Sequence, residues 1–215
     1  MNDAAAREVF ASGGLKLGLH FSSLQLDQFM TYLSELMRWN QKINLTGLRE
    51  TREIIIKNFL DSLTPLPFLG EQNDPHWMDV GTGAGFPGLP MKIAGGGINL
   101  SLVEPIQKKT AFLHHMIGIL GLKEVRVIND RIENVVQDKK ADLLFTRALS
   151  PKTVLSKSVS LVRGGGRLLF YQSRYEEAFW NLLVSESPFV RLEKIIPVRL
   201  PFSEDPRVLI FLRML

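Results

Sequence analysis

The stretch Asp79-Val80-Gly81-Thr82-Gly83-Ala84-Gly85-Phe86-Pro87-Gly88 carries four glycines within residues 81–88, directly behind the apolar run Trp77-Met78-Asp79-Val80. A short strand that runs into so tight a turn needs residues that bend sharply and keep no Cβ in the way of a ligand, which is what glycine supplies. Residues 89–94 then read as a helix, with Pro87 and Pro90 acceptable only near its first turn. The alternation continues toward the carboxyl end. Strands are expected at 100–104, 125–128, 143–146 and 167–171. Helices are expected at 108–120, stopped by Gly121, at 132–137, and at 152–162, stopped by the triplet Gly164-Gly165-Gly166. Strands alternating with helices imply a parallel sheet covered on both faces.

The two ends depart from this rhythm. After a helix at 175–185, strands at 191–200 and 207–212 follow one another with only Pro201, Ser203 and Pro206 marking the gap, and so short a loop joins antiparallel neighbours. At the front, Leu26, Phe29, Met30, Leu33 and Met37 recur at helical spacing over residues 23–40, with Ser22 or Ser23 as cap. The polar loop Asn44-Leu45-Thr46-Gly47 and a second helix at 51–63, closed by Pro65 and Pro67, complete a helical front end. The expected fold is therefore α/β and Rossmann-like. Residues 1–70 form an N-terminal helical extension, and residues 71–215 form a mostly parallel seven-stranded sheet ending in an antiparallel hairpin.

Composition narrows the function. The 215 residues are 45% hydrophobic, enough for a sizeable core. With 26 Lys and Arg against 22 Asp and Glu, the net charge of +4 permits a nucleic-acid partner without demanding one. The absence of cysteine excludes disulfides, thiolate metal sites and thiol nucleophiles, and suits a cytoplasmic location. Residues 1–8 lead into no secretory signal and no stretch is apolar enough to span a membrane, so a soluble monomer without a metal is expected.

The glycine row alone leaves two cofactors open. Gly83, Gly85 and Gly88 fit a dinucleotide fingerprint, and Glu104 lies about 20 residues on, where an acid would meet ribose hydroxyls. Three features favour S-adenosylmethionine. Asp79, two residues before Gly81, suits a cationic amino-acid end and would repel a pyrophosphate. Pro87 removes a backbone N–H that a pyrophosphate would use. The terminal antiparallel hairpin matches the sheet of Rossmann-like methyltransferases. Asp79, Gly81, Gly83 and Glu104 are thus cofactor-binding candidates, and one residue of Asp130, Arg131, Ile132 and Glu133, after the third strand, should meet the adenine.

Several further stretches carry a resemblance: Arg38-Trp39-Asn40 with Asn44-Leu45-Thr46, Leu60-Asp61-Ser62, the glycine turn with Leu89-Pro90, Lys108-Lys109 with Phe112-Leu113, and Arg147-Ala148. In these the chain resembles the bacterial 16S rRNA (guanine-N7) methyltransferase G family, RsmG or GidB (glucose-inhibited division protein B), from about Leu33 to the last strand. The resemblance implies methyl transfer from S-adenosylmethionine to N7 of guanine 527 in 16S rRNA, with the rRNA or the small ribosomal subunit as partner. It also implies cofactor contacts at Gly81, Phe86, Ile132 with Glu133, and Arg147. Asn58 stands where members commonly carry His, Pro206-Arg207 where many carry Arg-His, and Ala84 where Pro is frequent.

The chemistry agrees. Pyrimidine C5 methylation uses a cysteine nucleophile and radical chemistry a cysteine-bound cluster, and neither is possible here. Methylation of exocyclic amines commonly uses an Asn/Asp-Pro-Pro-aromatic turn after the fourth strand, where this chain has Thr146-Arg147-Ala148-Leu149-Ser150-Pro151. Guanine N7 carries a lone pair and no proton, so catalysis reduces to in-line positioning. No catalytic residue is assigned beyond Arg147, which could position the guanine, a phosphate or the cofactor carboxylate, or simply pair with Asp79 or Glu133. His114 and His115 read as helix residues rather than ligands, and Trp39 as core rather than a base-stacking platform. Arg38, Lys42, Arg49, Arg52, Lys57, Lys108 and Lys109 could follow phosphates or form a solvated basic face. A methyltransferase acting on another RNA site, a small molecule or a protein, and a non-catalytic RNA-binding factor, are the alternatives at this point.

Overall fold

The computed structural model describes residues 1–70 and 73–215. In chain order its strands are β1 (His76–Val80), β2 (Asn99–Val103), β3 (Val125–Ile128), β4 (Ala141–Thr146), β5 (Val162–Gln172), β6 (Val190–Arg199) and β7 (Pro206–Met214). They form one seven-stranded sheet in the order β3-β2-β1-β4-β5-β7-β6. The pairings from β3 through β5 are parallel, while β7 runs antiparallel to both β5 and β6. The α/β sheet and its antiparallel end therefore match the expectation. The last strand inserts between β5 and β6, so the hairpin folds back into the sheet rather than extending it. Every residue of β1 is buried, as a central strand covered on both faces requires.

The helices are α1 (Asp3–Lys16), α2 (Ser23–Asn40), α3 (Thr51–Ile54), α4 (Asp61–Leu63), α5 (Gly88–Gly95), α6 (Gln107–Ile119), α7 (Pro151–Leu161) and α8 (Glu177–Ser185). Helix α2 begins with a reciprocal capping box between Ser22 and Gln25. It buries Phe29, Tyr32, Leu33 and Leu36, whereas Met37 faces outward. Helix α1 has no counterpart among the expected elements. Two of its residues, Gly13 and Gly14, hide the apolar periodicity, and both pack directly against neighbouring side chains. A Cβ on Gly13 would stand 2.3 Å from Leu60 Cδ1, and one on Gly14 2.4 Å from Phe21 Cε2.

The helix expected at 51–63 is real but not uniform. Between α3 and α4 lies a π-helical turn, Ile55–Leu60, with Ile55, Ile56, Asn58, Phe59 and Leu60 buried. The residues 132–137 hold only a 3₁₀ turn, Ile132–Asn134, too short to complete the expected helix. The glycine triplet does not simply follow α7. Strand β5 pairs with β4 at Val162 and again from Arg167, and residues 163–166 bulge out between, with Gly165 at φ 70°.

Two apolar clusters cover the faces of the sheet. One joins Phe10, Phe29, Phe59, Phe86 and Phe112 to Phe145 and Phe211, so the first 70 residues share a continuous core with the sheet. The other packs Val154, Leu155, Trp180 and Leu183 against Leu168, Phe170 and Ile210. The expected junction at 70–71 falls at residues 71 and 72, which lie outside the described residues.

Candidate functional site

Strand β1 has β2 on one side and β4 on the other, so the chain order reverses there and opens a crevice at the strands' carboxyl ends. The glycine turn fills its base. Gly81 and Thr82 donate backbone N–H bonds to Val103 O at 2.9 and 3.2 Å, tying the turn to the end of β2. Gly81, Gly83 and Gly85 all have positive φ, at 72°, 61° and 95°. At Gly81 a side chain would also crowd Leu149, with Cγ 3.1 Å from the built Cβ. Across the crevice, the Thr146 hydroxyl donates to Val80 O at 2.8 Å and accepts from the N–H groups of Ala148 and Leu149, which shapes the turn after β4.

A cleft of about 190 Å³ opens here, lined by Gly81, Val103, Pro105, Ile132, Glu133 and Leu149 among others. Gly81, Ile132 and Glu133, which the family resemblance implies as cofactor contacts, thus line one cleft, together with Asp130 and Arg131. Glu104 is buried at the end of β2, and its carboxylate accepts from Gly83 N at 2.9 Å and Ile106 N at 3.0 Å. Two of its lone-pair positions remain for ligand hydroxyls. The ring of Phe86 is elsewhere. It stacks on Tyr32 with centroids 5.3 Å apart and meets Phe59 edge-on, so only its backbone belongs to the turn.

Asp79 is fully buried. Its Oδ2 accepts from the Thr82 hydroxyl at 2.6 Å and from Gly88 N at 2.8 Å, while Oδ1 has no partner. Burial pushes its carboxyl up to about 7, against the opposing pull of the Thr82 and Gly88 hydrogen bonds and of Arg147. An unpartnered buried carboxylate oxygen is costly unless a donor reaches it. The cleft's chemistry is compatible with S-adenosylmethionine: Glu104 would take ribose hydroxyls and Val103, Ile132 and Leu149 would wall the adenine, while Asp79, 0% exposed, lies beneath the turn outside the cleft lining and would meet an ammonium only through its unpartnered Oδ1. A larger cleft of about 460 Å³, lined by His76, Ser101 and Arg126, lies at the opposite, amino-terminal edge of the strands, away from this chemistry.

Arg147 pairs with neither Asp79 nor Glu133. Its partner is Asp61, at 3.2 Å, with Asn58 O and the Ser62 hydroxyl also accepting at 3.2 and 3.3 Å. Asp61 accepts on its other oxygen from Arg207 Nε at 2.7 Å. Asn58 in turn donates to the Thr46 hydroxyl at 3.3 Å, and Asn40 accepts from Leu45 N and Thr46 N at 2.7 and 2.9 Å. The stretches Trp39-Asn40, Asn44-Leu45-Thr46, Leu60-Asp61-Ser62 and Arg147-Ala148, scattered along the chain, are therefore one polar network. Sequence reasoning assigned no role to Asp61. Its signal was an acid embedded in the apolar run Ile54-Ile55-Ile56-Lys57-Asn58-Phe59-Leu60-Asp61-Ser62-Leu63. It also gave none to Tyr32, whose hydroxyl donates to Ala84 O in the cofactor turn.

The remaining candidates are placed as follows. Trp39 is half-buried and meets Phe112 edge-on at 5.5 Å. His115 Nε2 lies 2.6 Å from Glu35, and His114 is exposed. Arg38, Lys42, Arg49, Arg52 and Lys108 are exposed, Lys109 is half-buried, and Lys57 pairs with Glu53 and Asp205.

A Rossmann-like sheet with β7 inserted antiparallel, and this glycine turn flanked by Asp79 and Glu104, define an S-adenosylmethionine-dependent methyltransferase. Solved structures share the fold. A SAM-dependent methyltransferase from Aquifex aeolicus superposes with a TM-score of 0.60 at 17% identity, covering 76% of this chain and 93% of that one. A 1,6-didemethyltoxoflavin-N1-methyltransferase from Burkholderia thailandensis, bound to S-adenosylhomocysteine, gives 0.56 at 13% identity over 89% and 87%. Residues 25–204 match the family GidB, rRNA small subunit methyltransferase G, and the chain belongs to that family. The ribosomal RNA small subunit methyltransferase G of Caldanaerobacter subterraneus subsp. tengcongensis is 35% identical over 92% of this chain and 85% of its own length. That of Dehalococcoides mccartyi (strain CBDB1) is 38% identical over 91% and 86%.

Proposed function

We propose that this chain methylates N7 of guanine 527 in 16S rRNA, acting as a cytoplasmic monomer on the small ribosomal subunit or its RNA, with residues 1–70 as a helical extension of the catalytic region 71–215. Membership of the small subunit methyltransferase G family carries the reading. Among the described residues no helix is long and apolar enough to cross a membrane.

S-adenosylmethionine supplies an electrophilic methyl group on a positively charged sulfur. The chain's own residues bind and aim it. Asp79 attracts the ammonium, the backbone of Gly81, Gly83 and Phe86 forms the floor, Glu104 takes the ribose, and Ile132 with Glu133 flanks the adenine. Arg147, bonded to Asp61, Asn58 and Ser62, fixes the turn after β4 beside the donor. Guanine N7 presents a lone pair and carries no proton, so no side chain has to remove one. The contribution left to the protein is in-line alignment, which can supply several powers of ten in rate. Transfer to N7 would leave the positive charge on the purine, so Asp79 and Glu104 would act only by holding the donor, with no proton to take up or release.

The test is to incubate the protein with labelled S-adenosylmethionine and either small subunits or naked 16S rRNA lacking the modification, and to map the product by borohydride–aniline cleavage. Cleavage at guanine 527 is expected. Label at another base, only on a small molecule, or on no RNA at all would overturn the assignment.

A further inference from the structure

Resting on that reading, we propose that Arg207 grips a backbone phosphate of the substrate RNA and that Asp61 is the positioning residue that aims it. Asp61 is 1% exposed and divides one carboxylate between two guanidiniums, Oδ2 to Arg147 and Oδ1 to Arg207. Within this bonded triad one negative and two positive charges leave a surplus positive charge, with Asp79 acting on Arg147 and Asp205 on Arg207 from further off, and the two arginine side chains are each only 22% exposed. A partly desolvated surplus charge is stabilised by a counter-ion, which makes the cluster an anion site.

The hydrogen bonds show which arginine is open. Arg147 is spoken for by Asp61, Asn58 and Ser62. Arg207 is anchored through Nε alone, and among the described residues no protein group accepts from its two terminal nitrogens. A guanidinium fixed at Nε and open at both Nη atoms presents the forked geometry that suits a phosphate.

The sheet order identifies the anion. The cofactor cleft lies at the ends of β1, β2 and β3. Arg207 lies at the start of β7, beyond β5, and at the same edge of the sheet, since Val208 pairs with Gln172 at the carboxyl end of β5. Two strand spacings from β4, about 10 Å, put it on the substrate side of the cleft. Further cations continue the track. Lys16 and Arg52 flank the exposed Phe202 at 5.4 and 5.2 Å from its ring centre, while Lys57 is shared between Asp205 at 3.2 Å and Glu53 at 3.5 Å. A polymer phosphate, rather than the carboxylate of the cofactor, is the anion in reach.

The experiment compares wild type with Arg207→Met, Arg207→Lys and Asp61→Asn. It measures KM for unmodified small subunits across about 50–200 mM salt, RNA retention on filters over the same range, and S-adenosylmethionine affinity by calorimetry. Arg207→Met should raise KM for the RNA about tenfold and flatten the salt slope by about one unit, leaving cofactor affinity intact. Lys should recover part of the loss, and Asp61→Asn should shift KM in the same direction. Unchanged KM and salt slope in a folded Arg207→Met protein would overturn the proposal. So would a loss of cofactor affinity without a change in KM, which would assign the site to the cofactor's carboxylate. If wild type methylates no RNA, the function proposed above fails, and the filter-binding salt slope still decides the role of Arg207.

Discussion

Asp79 and Gly81 show how much one side chain, or its absence, controls in this site. The raised pKa of Asp79 has two consequences of opposite sign. An unfolded aspartate titrates near 3.9, whereas burial holds this one at about 7. Between those values the native state binds the extra proton, so the ligand-free protein should lose stability as pH rises from about 4 to about 7. Cofactor affinity should move the other way, because the ammonium needs the ionised carboxylate, and should improve from about pH 5 to about pH 7, above which the cofactor's own amino group begins to lose its proton. Melting temperature and calorimetric affinity measured across that range test both trends, and Asp79→Asn should flatten them. Gly81→Asp should abolish cofactor binding, since it places a side chain at φ 72° against Leu149 and adds charge to the turn. Unchanged affinity in calorimetry would refute this.

The π-helical turn between α3 and α4 decides where Asn58, Asp61 and Ser62 emerge. One wide turn shifts the register of everything after it, and such turns recur at functional sites. Here the shifted residues meet Arg147 and Arg207 from two other elements. Removing the shared carboxylate strands two partly buried cations, so Asp61→Ala should cost about 3 kcal/mol of stability, read by denaturant titration. A cost near zero would mean that solvent already screens the cluster. Helix α1 is held by contact rather than by pattern. Gly13→Val should lower stability by about 2 kcal/mol, because its side chain would enter the space of Leu60, which is 0% exposed.

Across the molecule, the helical front end and the cofactor turn are one packed body. Phe10 stacks on Phe29, Phe29 and Tyr32 meet Phe59, and Tyr32 stacks on Phe86 while bonding Ala84 in the turn. Deleting residues 1–20 should therefore lower the melting temperature and weaken S-adenosylmethionine binding together. A truncated protein that binds the cofactor as tightly as the full chain would show the front end to be independent of the turn.

Local chemistry made much of this legible in the order of residues alone. The change of period from two to 3.6, the glycine turn behind Val80, and a tail with no room for a crossover helix are short-range signals, and they yielded the sheet, its antiparallel end and the candidates Gly81 and Glu104, whereas among residues 130–133 only the family resemblance singled out Ile132 with Glu133. Long-range placement was not written in any such signal. That β7 enters between β5 and β6, that Phe86 turns its ring into the core, and that Arg147 answers to Asp61 rather than to Asp79 or Glu133 all depend on which surfaces meet when the two clusters close. Residues 86 positions apart compete for a buried charge only after the chain has brought them within 3.2 Å. Neither spacing nor propensity along the chain carries that distance.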